Sequence, residues 1–248
     1  MTSETDLATA VATELVKQVP IKEVYKDGLS PAVQETGSAL TDFVKTIRLA
    51  LAPLQFTAAL QDRYVRFLDK SVRRIPEDRR ILPAPQIVGP ILEAIKYERE
   101  DTLISDMYNE VLSRAFDRDE DAHPAYAPLI KQLSADEAII LKTIYERYLQ
   151  NDHYNFQFTD DYDRTTNRFS NRKVELDELP LSGLLSPKNV AIYMEHLDKL
   201  GLAAVLQFKN AEPLFAAGAQ SGSRTFARYQ LTAFGLEFMK AASGPSDK

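Results

Sequence analysis

The side chains best suited to contact a ligand lie near the C-terminus, where cations and hydrogen-bonding groups recur at close spacing. Four of them fall on one predicted helix, 188–200, and two arginines follow on a predicted strand. Reading bases in duplex DNA requires donors and acceptors on an exposed helix face, with cations nearby for the phosphates. The same groups also serve protein docking. The candidate contact residues for nucleic acid or a protein partner are Lys188, Asn189, Tyr193, Lys199, Arg224 and Arg228.

The charge of the C-terminal half favours a protein partner over DNA. From residue 134 onward, 13 lysines and arginines stand against 15 aspartates and glutamates, a net charge of −2. The predicted helix itself carries Glu195 and Asp198. Binding to DNA depends largely on cations that neutralise its phosphates, so this negative net charge gives little electrostatic support for DNA binding. We therefore expect protein association first and keep DNA binding as an alternative.

The sequence lacks the common catalytic and metal-binding patterns. Its histidines, His123, His153 and His196, are far apart and lack the HExxH spacing of zinc enzymes. Two acidic loops, 117–121 and 160–163, offer carboxylates without the glycine and distal glutamate of a calcium-binding loop. No GxSxG, Walker-type or GxGxxG motif occurs. We expect a non-enzymatic protein with no cofactor, no metal and no small-molecule substrate.

Composition indicates an ordinary cytoplasmic protein. The chain has 248 residues, is 44% hydrophobic and carries a net charge of −6, enough apolar content for one large core or two modest ones. It contains no cysteine, which excludes disulfides and thiolate chemistry and fits a reducing compartment. Glu4 and Asp6 stand where a signal peptide would have basic residues.

The elements that would position the candidate contact residues resemble the C-terminal half of a winged helix-turn-helix domain. A capping box formed by Ser134 and Glu137 predicts a helix that ends near residue 150. The helix 188–200 ends on Gly201, which suits the left-handed residue after a helix. Two strands of a small β wing are expected within 202–230, and Thr232 caps a closing helix.

The segment between the first two of these helices is harder to interpret, because its hydrophobic periodicity fails. Residues 151–173 are polar, aromatic and turn-rich, and we expect a long insertion with one short strand at 154–158. Residues 174–185 are expected to form a short second helix. The predicted winged helix-like domain therefore spans 134–243, and 244–248 is a flexible tail.

The N-terminal half predicts helices joined by short, proline-rich connectors. Apolar residues spaced four apart predict a first helix within 1–20, which Pro20 ends. The region 21–133 is expected to continue as a bundle-like helical domain, including helices near 86–97 and 102–118. The expected fold class is therefore mainly α with a small β wing: a helical N-terminal domain followed by a winged helix-like C-terminal domain.

Two N-terminal features leave alternatives open. The apolar segment 43–60 is too short to span a bilayer; it predicts a buried helix junction, with a membrane-surface segment as the alternative. A group of basic side chains around Pro76 predicts either a solvated connector or a docking site for an anionic partner. Its members are Arg73, Arg74, Arg79 and Arg80.

An ordered series of short motifs carries a family resemblance. The motifs are YKDGLSP at 25–31, LALAPL at 49–54, IPE at 75–77, GPILEA at 89–94, LSRAFD at 112–117, HPAY at 123–126 and IKQLS at 130–134. Together they resemble the Abi-alpha family, a domain of unknown function associated with bacterial abortive infection. The resemblance covers residues 21–137 well and the remainder loosely. It implies a bacterial cytoplasmic protein with a role in phage resistance, and it supplies no catalytic residues.

These observations lead to four hypotheses about function, of which the last is an enzyme with a metal site in an acidic loop. The first is a non-enzymatic interaction protein in phage defence, whose winged helix-like domain mediates partner binding or self-association. The second is a DNA-binding regulator that uses the helix 188–200 and the wing 202–230. The third is a membrane-acting effector that uses the apolar segment 43–60.

Overall fold

The computed structural model describes residues 58–244. The chain divides between Lys131 and Gln132 into two compact units, called here the helical unit and the sheet unit. The predicted helix within 1–20, the segment 43–57 and the tail from 245 onward lie outside the described residues.

The described part of the helical unit consists of four α-helices, three of which contact a central one. The helices are α1 Ala58–Arg73, α2 Pro85–Ile95, α3 Leu103–Ala115 and α4 Tyr126–Ile130, with a 3-10 turn at Glu77–Arg79. Thr102 starts α3, because its hydroxyl accepts from the Ser105 N–H at 3.1 Å. Helix α3 contacts α1, α2 and α4, and the predicted helices 86–97 and 102–118 correspond to α2 and α3.

Polar side chains as well as apolar ones join α1 to α3. The Asn109 amide donates to the Ser71 hydroxyl at 3.0 Å, and the Ser113 hydroxyl donates to the Ser71 carbonyl at 2.9 Å. Ser71 is 0% and Asn109 1% exposed. On the surface, Lys70 pairs with Asp106 at 2.7 Å. Buried hydrogen bonds of this kind fix the register of two helices, because a shift would leave their polar groups unpaired.

Three of the four arginines near Pro76, namely Arg74, Arg79 and Arg80, bind groups of their own unit. Arg79 forms a two-point ion pair with Asp117 and also lies 3.1 Å from Asp119. The Arg80 guanidinium donates to the Ile75 carbonyl at 2.9 Å, and Arg74 pairs with Glu110. These contacts tie the connector after α1 to the C-terminal end of α3.

The sheet unit combines three helices with a four-stranded antiparallel sheet. The helices are α5 Ala135–Leu149, α6 Val190–Lys199 and α7 Ala233–Ala242. The strands are β1 Tyr154–Asp163, β2 Arg168–Asp177, β3 Ala203–Ala216 and β4 Ala219–Leu231. Their order in the sheet is β2-β1-β4-β3.

The predicted fold class, mainly α with a small β wing, is wrong. The four strands are 10, 10, 14 and 13 residues long and form one antiparallel sheet, so the chain is an α/β protein. The predicted wing strands exist, but they run on to a two-residue turn at Ala217 and Gly218, whose φ angles are 50° and 77°.

The predicted secondary structure differs most from the observed one in residues 151–185. In place of an insertion with one strand and a short helix, β1 and β2 form a hairpin, and 178–186 is irregular. Strand β2 is exposed along its whole length, so burial imposes no apolar alternation on it. Backbone pairing with β1 holds it instead, with two irregularities in register. Asp163 stabilises the turn by accepting from the Thr165 N–H at 2.8 Å and the Thr166 hydroxyl at 2.7 Å.

Local signals at the helix ends of the sheet unit are confirmed. Ser134 and Glu137 form the reciprocal capping box of α5. Gly201 follows α6 with a φ of 69°. The Thr232 hydroxyl accepts from the Gly235 N–H at 2.8 Å and so caps α7. Gly235 also allows a close approach, since a β-carbon there would overlap the backbone oxygen of Leu202.

Candidate functional site

A groove of about 780 Å³ lies between one face of the sheet and helix α6. Its floor consists of side chains from three neighbouring strands. Phe156 of β1 pairs with Ala227 of β4, and Val205 of β3 pairs with Tyr229 of β4. Directly paired residues project to the same side of a sheet, so these four line one face. Ala227 and Tyr229 are buried, whereas Phe156 is partly exposed and Val205 is 37% exposed, so Phe156 and Val205 form the accessible part of this apolar floor.

One side of helix α6 forms a wall of this groove. Ala191, Met194, Glu195 and Asp198 line it from the helix, and Lys188 lines it from the preceding 3-10 turn. Spacings of three and four residues put these side chains on one stripe of the helix. The small side chain of Ala191 lies between charged residues at the two ends of that stripe. The wall is thus apolar in its middle and polar at its ends.

Most charged residues of the groove already have partners. Arg172 binds Asp160 at 3.1 and 3.2 Å and lies 3.7 Å from the ring centroid of Phe158. Glu195 accepts from Lys199 at 2.6 Å. Within residues 58–244, by contrast, the carboxylate of Asp198 and the ammonium group of Lys188 make no hydrogen bond or ion pair. Asp198 also sits in the last turn of α6, where the helix dipole favours a cation.

Tyr229 and Asp177 supply a fixed polar contact in the lining of the groove. The Tyr229 hydroxyl donates to an Asp177 carboxylate oxygen at 3.0 Å, and Asp177 also accepts from the Leu179 N–H at 3.1 Å. Burial, with the charge of Asp177, raises the pKa of the Tyr229 phenol. The phenol therefore stays protonated and serves as a donor rather than as a base.

Two adjacent acidic residues of α5 hold helix α6 and the chain before it. Asp136, 3% exposed, accepts from the Leu185 N–H at 2.8 Å, the Ser186 N–H at 2.9 Å and the Tyr193 hydroxyl at 2.9 Å. Burial alone would raise the pKa of the Asp136 carboxyl, but these three donors outweigh it, and the pKa lies below its ordinary value. Asp136 therefore stays ionised at neutral pH.

Glu137 adds a second link between the same elements. One carboxylate oxygen completes the capping box with Ser134, and the other lies 2.6 Å from His196 Nδ1. The sequence indicated only the capping box. Neither the Asp136 contacts nor the His196 contact was predicted, because they join residues 49 to 59 positions apart and nothing in local spacing signals them.

The structure separates the six predicted contact residues into two groups. Lys188 and Asn189 lie in the turn before α6, Tyr193 is bound to Asp136, and Lys199 pairs with Glu195. The groove contains Thr225 and Ala227 of β4, so the arginines that alternate with them face the other side of the sheet.

Both arginines are engaged on that opposite face. Arg224 binds Glu175 at 2.7 and 3.1 Å, and the guanidinium of Arg228 lies 3.8 Å from the ring centroid of Phe208. The six residues therefore do not form one continuous surface. Their role in nucleic-acid or partner contact stays a prediction.

Most carboxylates of the two acidic segments, together with His123 and His196, make contacts within their own unit, and the segment 160–163 is the end of strand β1 rather than a loop. Asp160 and Asp161 pair with Arg172 and Lys173, and Asp117 and Asp119 pair with Arg79. His123 Nδ1 accepts from the Ala125 N–H at 3.1 Å. Residues 58–244 contain no group of three or more His, Cys, Asp or Glu side chains arranged to hold a metal ion. In the same part of the chain, no helix combines the length and apolar character needed to cross a membrane.

Comparison with known proteins identifies the family. A family model described as abortive infection alpha matches residues 56–242, which confirms the resemblance carried by the ordered motifs. No curated protein and no solved structure matches the chain. The matched region includes all four helices described in the helical unit and every strand of the sheet unit. Because the match extends over most of its length, the chain belongs to the abortive infection alpha family.

Proposed function

We propose that this protein acts in bacterial phage defence as a non-enzymatic protein that binds a protein partner through its sheet unit. Membership of the abortive infection alpha family supports the role in phage defence. One observation supports the mode of action: the groove beside α6 combines an accessible apolar floor with unpaired charges on its wall. Recognition sites for proteins commonly combine an apolar centre with a polar rim.

The chemistry of the groove also supports binding rather than catalysis. Tyr229 is held protonated by burial and by its bond to Asp177. Glu195 and Arg172 are neutralised by partners. His196, on the same helix, is bound to the helix-capping residue Glu137. Catalysis by proton transfer requires a positioned acid or base with a pKa near neutrality, whereas these groups are committed to structural contacts.

The test is a phage challenge of a bacterial host that expresses the protein or a groove variant. Ala191→Trp places a large ring on the groove wall at an exposed position. Ile192→Trp, at the next position, is the matched control, because Ile192 is 64% exposed and does not line the groove. We expect protection with the wild type and Ile192→Trp and its loss with Ala191→Trp at equal protein levels.

Low and high multiplicities of infection distinguish the form of defence. Abortive infection protects the culture at low multiplicity and lets it collapse at high multiplicity, because infected cells die before the phage is released. Full protection by Ala191→Trp would refute a role for the groove. Absence of protection by the wild type across a broad phage panel would refute the defence role for this chain.

A further inference from the structure

We propose that the groove binds an amphipathic helical segment of a partner protein that carries a basic residue facing Asp198 and an acidic residue facing Lys188. This inference rests on the proposed function and specifies the chemistry of the partner. Three features of the groove support it: the charges left unpaired along α6, the distance between them and the apolar floor.

The charges of the groove wall define what complements them. Asp198 is exposed, has no ion-pair partner within residues 58–244 and lies at the negative end of α6. Glu195, one turn earlier, adds a second carboxylate, although Lys199 binds it. Lys188, at the opposite end of the wall, is exposed and makes no ion pair within the described residues. An occupant therefore needs a positive group at one end and a negative group at the other.

The separation of these charges favours a helix over a small molecule. Lys188 and Asp198 are ten positions apart, which corresponds to about 15 Å at the rise of an α-helix. A helical segment places two side chains at that distance with ten residues, about three turns. Ala191 lies between the two charges, and its small side chain leaves room for a neighbouring backbone to approach the wall.

The floor supplies the apolar contact that such a segment requires. Phe156 of β1 and Val205 of β3 present carbon surface to the groove, and Val174 of β2, also in the lining, is 56% exposed. Side chains at positions i, i+3, i+4 and i+7 of an amphipathic helix form a stripe that covers such a surface. Helix α6 covers one part of this face, and the bound segment would cover the neighbouring part.

Binding of designed peptides to the purified full chain tests the proposal. The probe is a fluorescein-labelled 18-residue helical peptide with leucines on one face, a lysine near one end and a glutamate ten residues away. Two controls replace the leucines with serine or replace both charged residues with glutamine. We expect the probe to bind in fluorescence anisotropy, the serine peptide not to bind, and the glutamine peptide to bind at least 5-fold more weakly.

Variants of the protein assign that binding to the groove. Asp198→Lys places two cations on the wall, and we expect it to weaken binding of the probe at least 10-fold and to favour a peptide in which the lysine is replaced by glutamate. Asp121→Lys makes the same change in net charge at an exposed position of the helical unit, and we expect it to bind like the wild type. Ala191→Trp should abolish binding, and Ile192→Trp should retain it.

Several outcomes would overturn the proposal. The first is equal binding of the probe by Asp198→Lys and the wild type, and the second is probe binding that survives Ala191→Trp. The third is a wild-type dimer, detected by light scattering, that Asp198→Lys dissociates, because a second copy of the chain would then occupy the groove. Failure of every peptide, combined with loss of phage protection in Ala191→Trp alone, would overturn the helical occupant and leave the proposed function standing. Protection that survives Ala191→Trp would instead remove the proposed function itself.

Discussion

Helices α3 and α6 occupy comparable places, each against several neighbours within its own unit, yet they are held by different forces. Helix α3 has 13 residues, of which nine are buried, whereas α6 has 10 residues and buries only Met194 and Leu197. Burial, mostly of apolar side chains, therefore accounts for most of the position of α3, and the hydrogen bonds of Asn109 and Ser113 to α1 fix its register. Helix α6 is positioned largely by the hydrogen bonds that Asp136 and Glu137 make to it and to the chain before it.

This difference shows how a small unit can fix a helix in place and still leave one of its sides exposed to line a groove. A helix fixed by burial must cover its surface, since the covered surface is the source of its stability. A helix fixed by a few charged hydrogen bonds on one side can leave another side uncovered. In α6, the side with Tyr193 and His196 is bound to α5, and the side with Ala191 and Asp198 lines the groove.

The largest expected effect comes from removing apolar volume on α3. Leu112 is 0% exposed, and Leu112→Ala should lower the free energy of unfolding by about 2–5 kcal/mol because it loses buried contacts and leaves a cavity. Ile192→Ala on α6, where the side chain is 64% exposed, should change it by less than about 0.5 kcal/mol. Urea denaturation followed by circular dichroism measures both. Equal losses would contradict the contrast between the helices.

Removing the carboxylate that anchors α6 should have the next largest effect. Asp136→Ala leaves the Leu185 and Ser186 N–H groups without their acceptor and should cost about 3 kcal/mol, since leaving a buried donor without its partner costs about 1–3 kcal/mol. Asp161→Ala, which removes only an exposed pair with Lys173, should cost less than about 1 kcal/mol. A negligible loss in Asp136→Ala would mean that burial, not hydrogen bonding, holds α6.

A substitution in α7 tests close packing in the sheet unit. A β-carbon at Gly235 would overlap the carbonyl oxygen of Leu202. Gly235→Ala should therefore destabilise the protein by about 1–3 kcal/mol, although alanine has a higher helix propensity than glycine. Glu237→Ala in the same helix removes only an exposed pair with Lys240 and is the control. Thermal denaturation measures both variants. A higher melting temperature for Gly235→Ala would show that α7 shifts without cost.

Acid titration separates the charge of Asp136 from its size. The folded-state pKa of Asp136 is lowered, so its contribution is fully present above the unfolded value of about 3.9 and is lost as the pH falls through the folded value. Asp136→Asn should therefore be less stable than the wild type at pH 7 and lose less stability between pH 5 and pH 2. Parallel stability curves for the two proteins would contradict this role.

The smallest expected effect on stability belongs to the groove variant. Ala191→Trp places its ring at an exposed helix position and should change the free energy of unfolding by less than about 1 kcal/mol, mostly through helix propensity. Its effect on partner binding should be large. A variant that unfolds readily would show that the groove wall contributes to the core, and its loss of phage protection would then not report on binding.

The sequence predicted features that short stretches specify. The capping box at Ser134, the left-handed Gly201 and the cap at Thr232 are set by residues within four positions of one another, and all three are confirmed. The β2 strand could not be predicted in this way, because it is exposed along its length and its neighbour β1 supplies the pairing. The groove was missed for the same reason, since its floor and wall come from residues up to 73 positions apart, from Phe156 to Tyr229.

By itself, the sequence determined the family, the helix ends at Ser134, Gly201 and Thr232, the approximate positions of α2 and α3, and a helix near 188–200 that carries both signs of charge. The family follows from the ordered motifs. The helices and their ends follow from apolar periodicity and capping chemistry, which act over one or two helical turns. Only the tertiary structure decided that the sheet has four strands, that Arg224 and Arg228 lie on the face opposite α6, and that Asp198 and Lys188 line a groove. Strand pairing and the bonds of Asp136 join distant parts of the chain, and such contacts depend on the folded backbone rather than on local spacing.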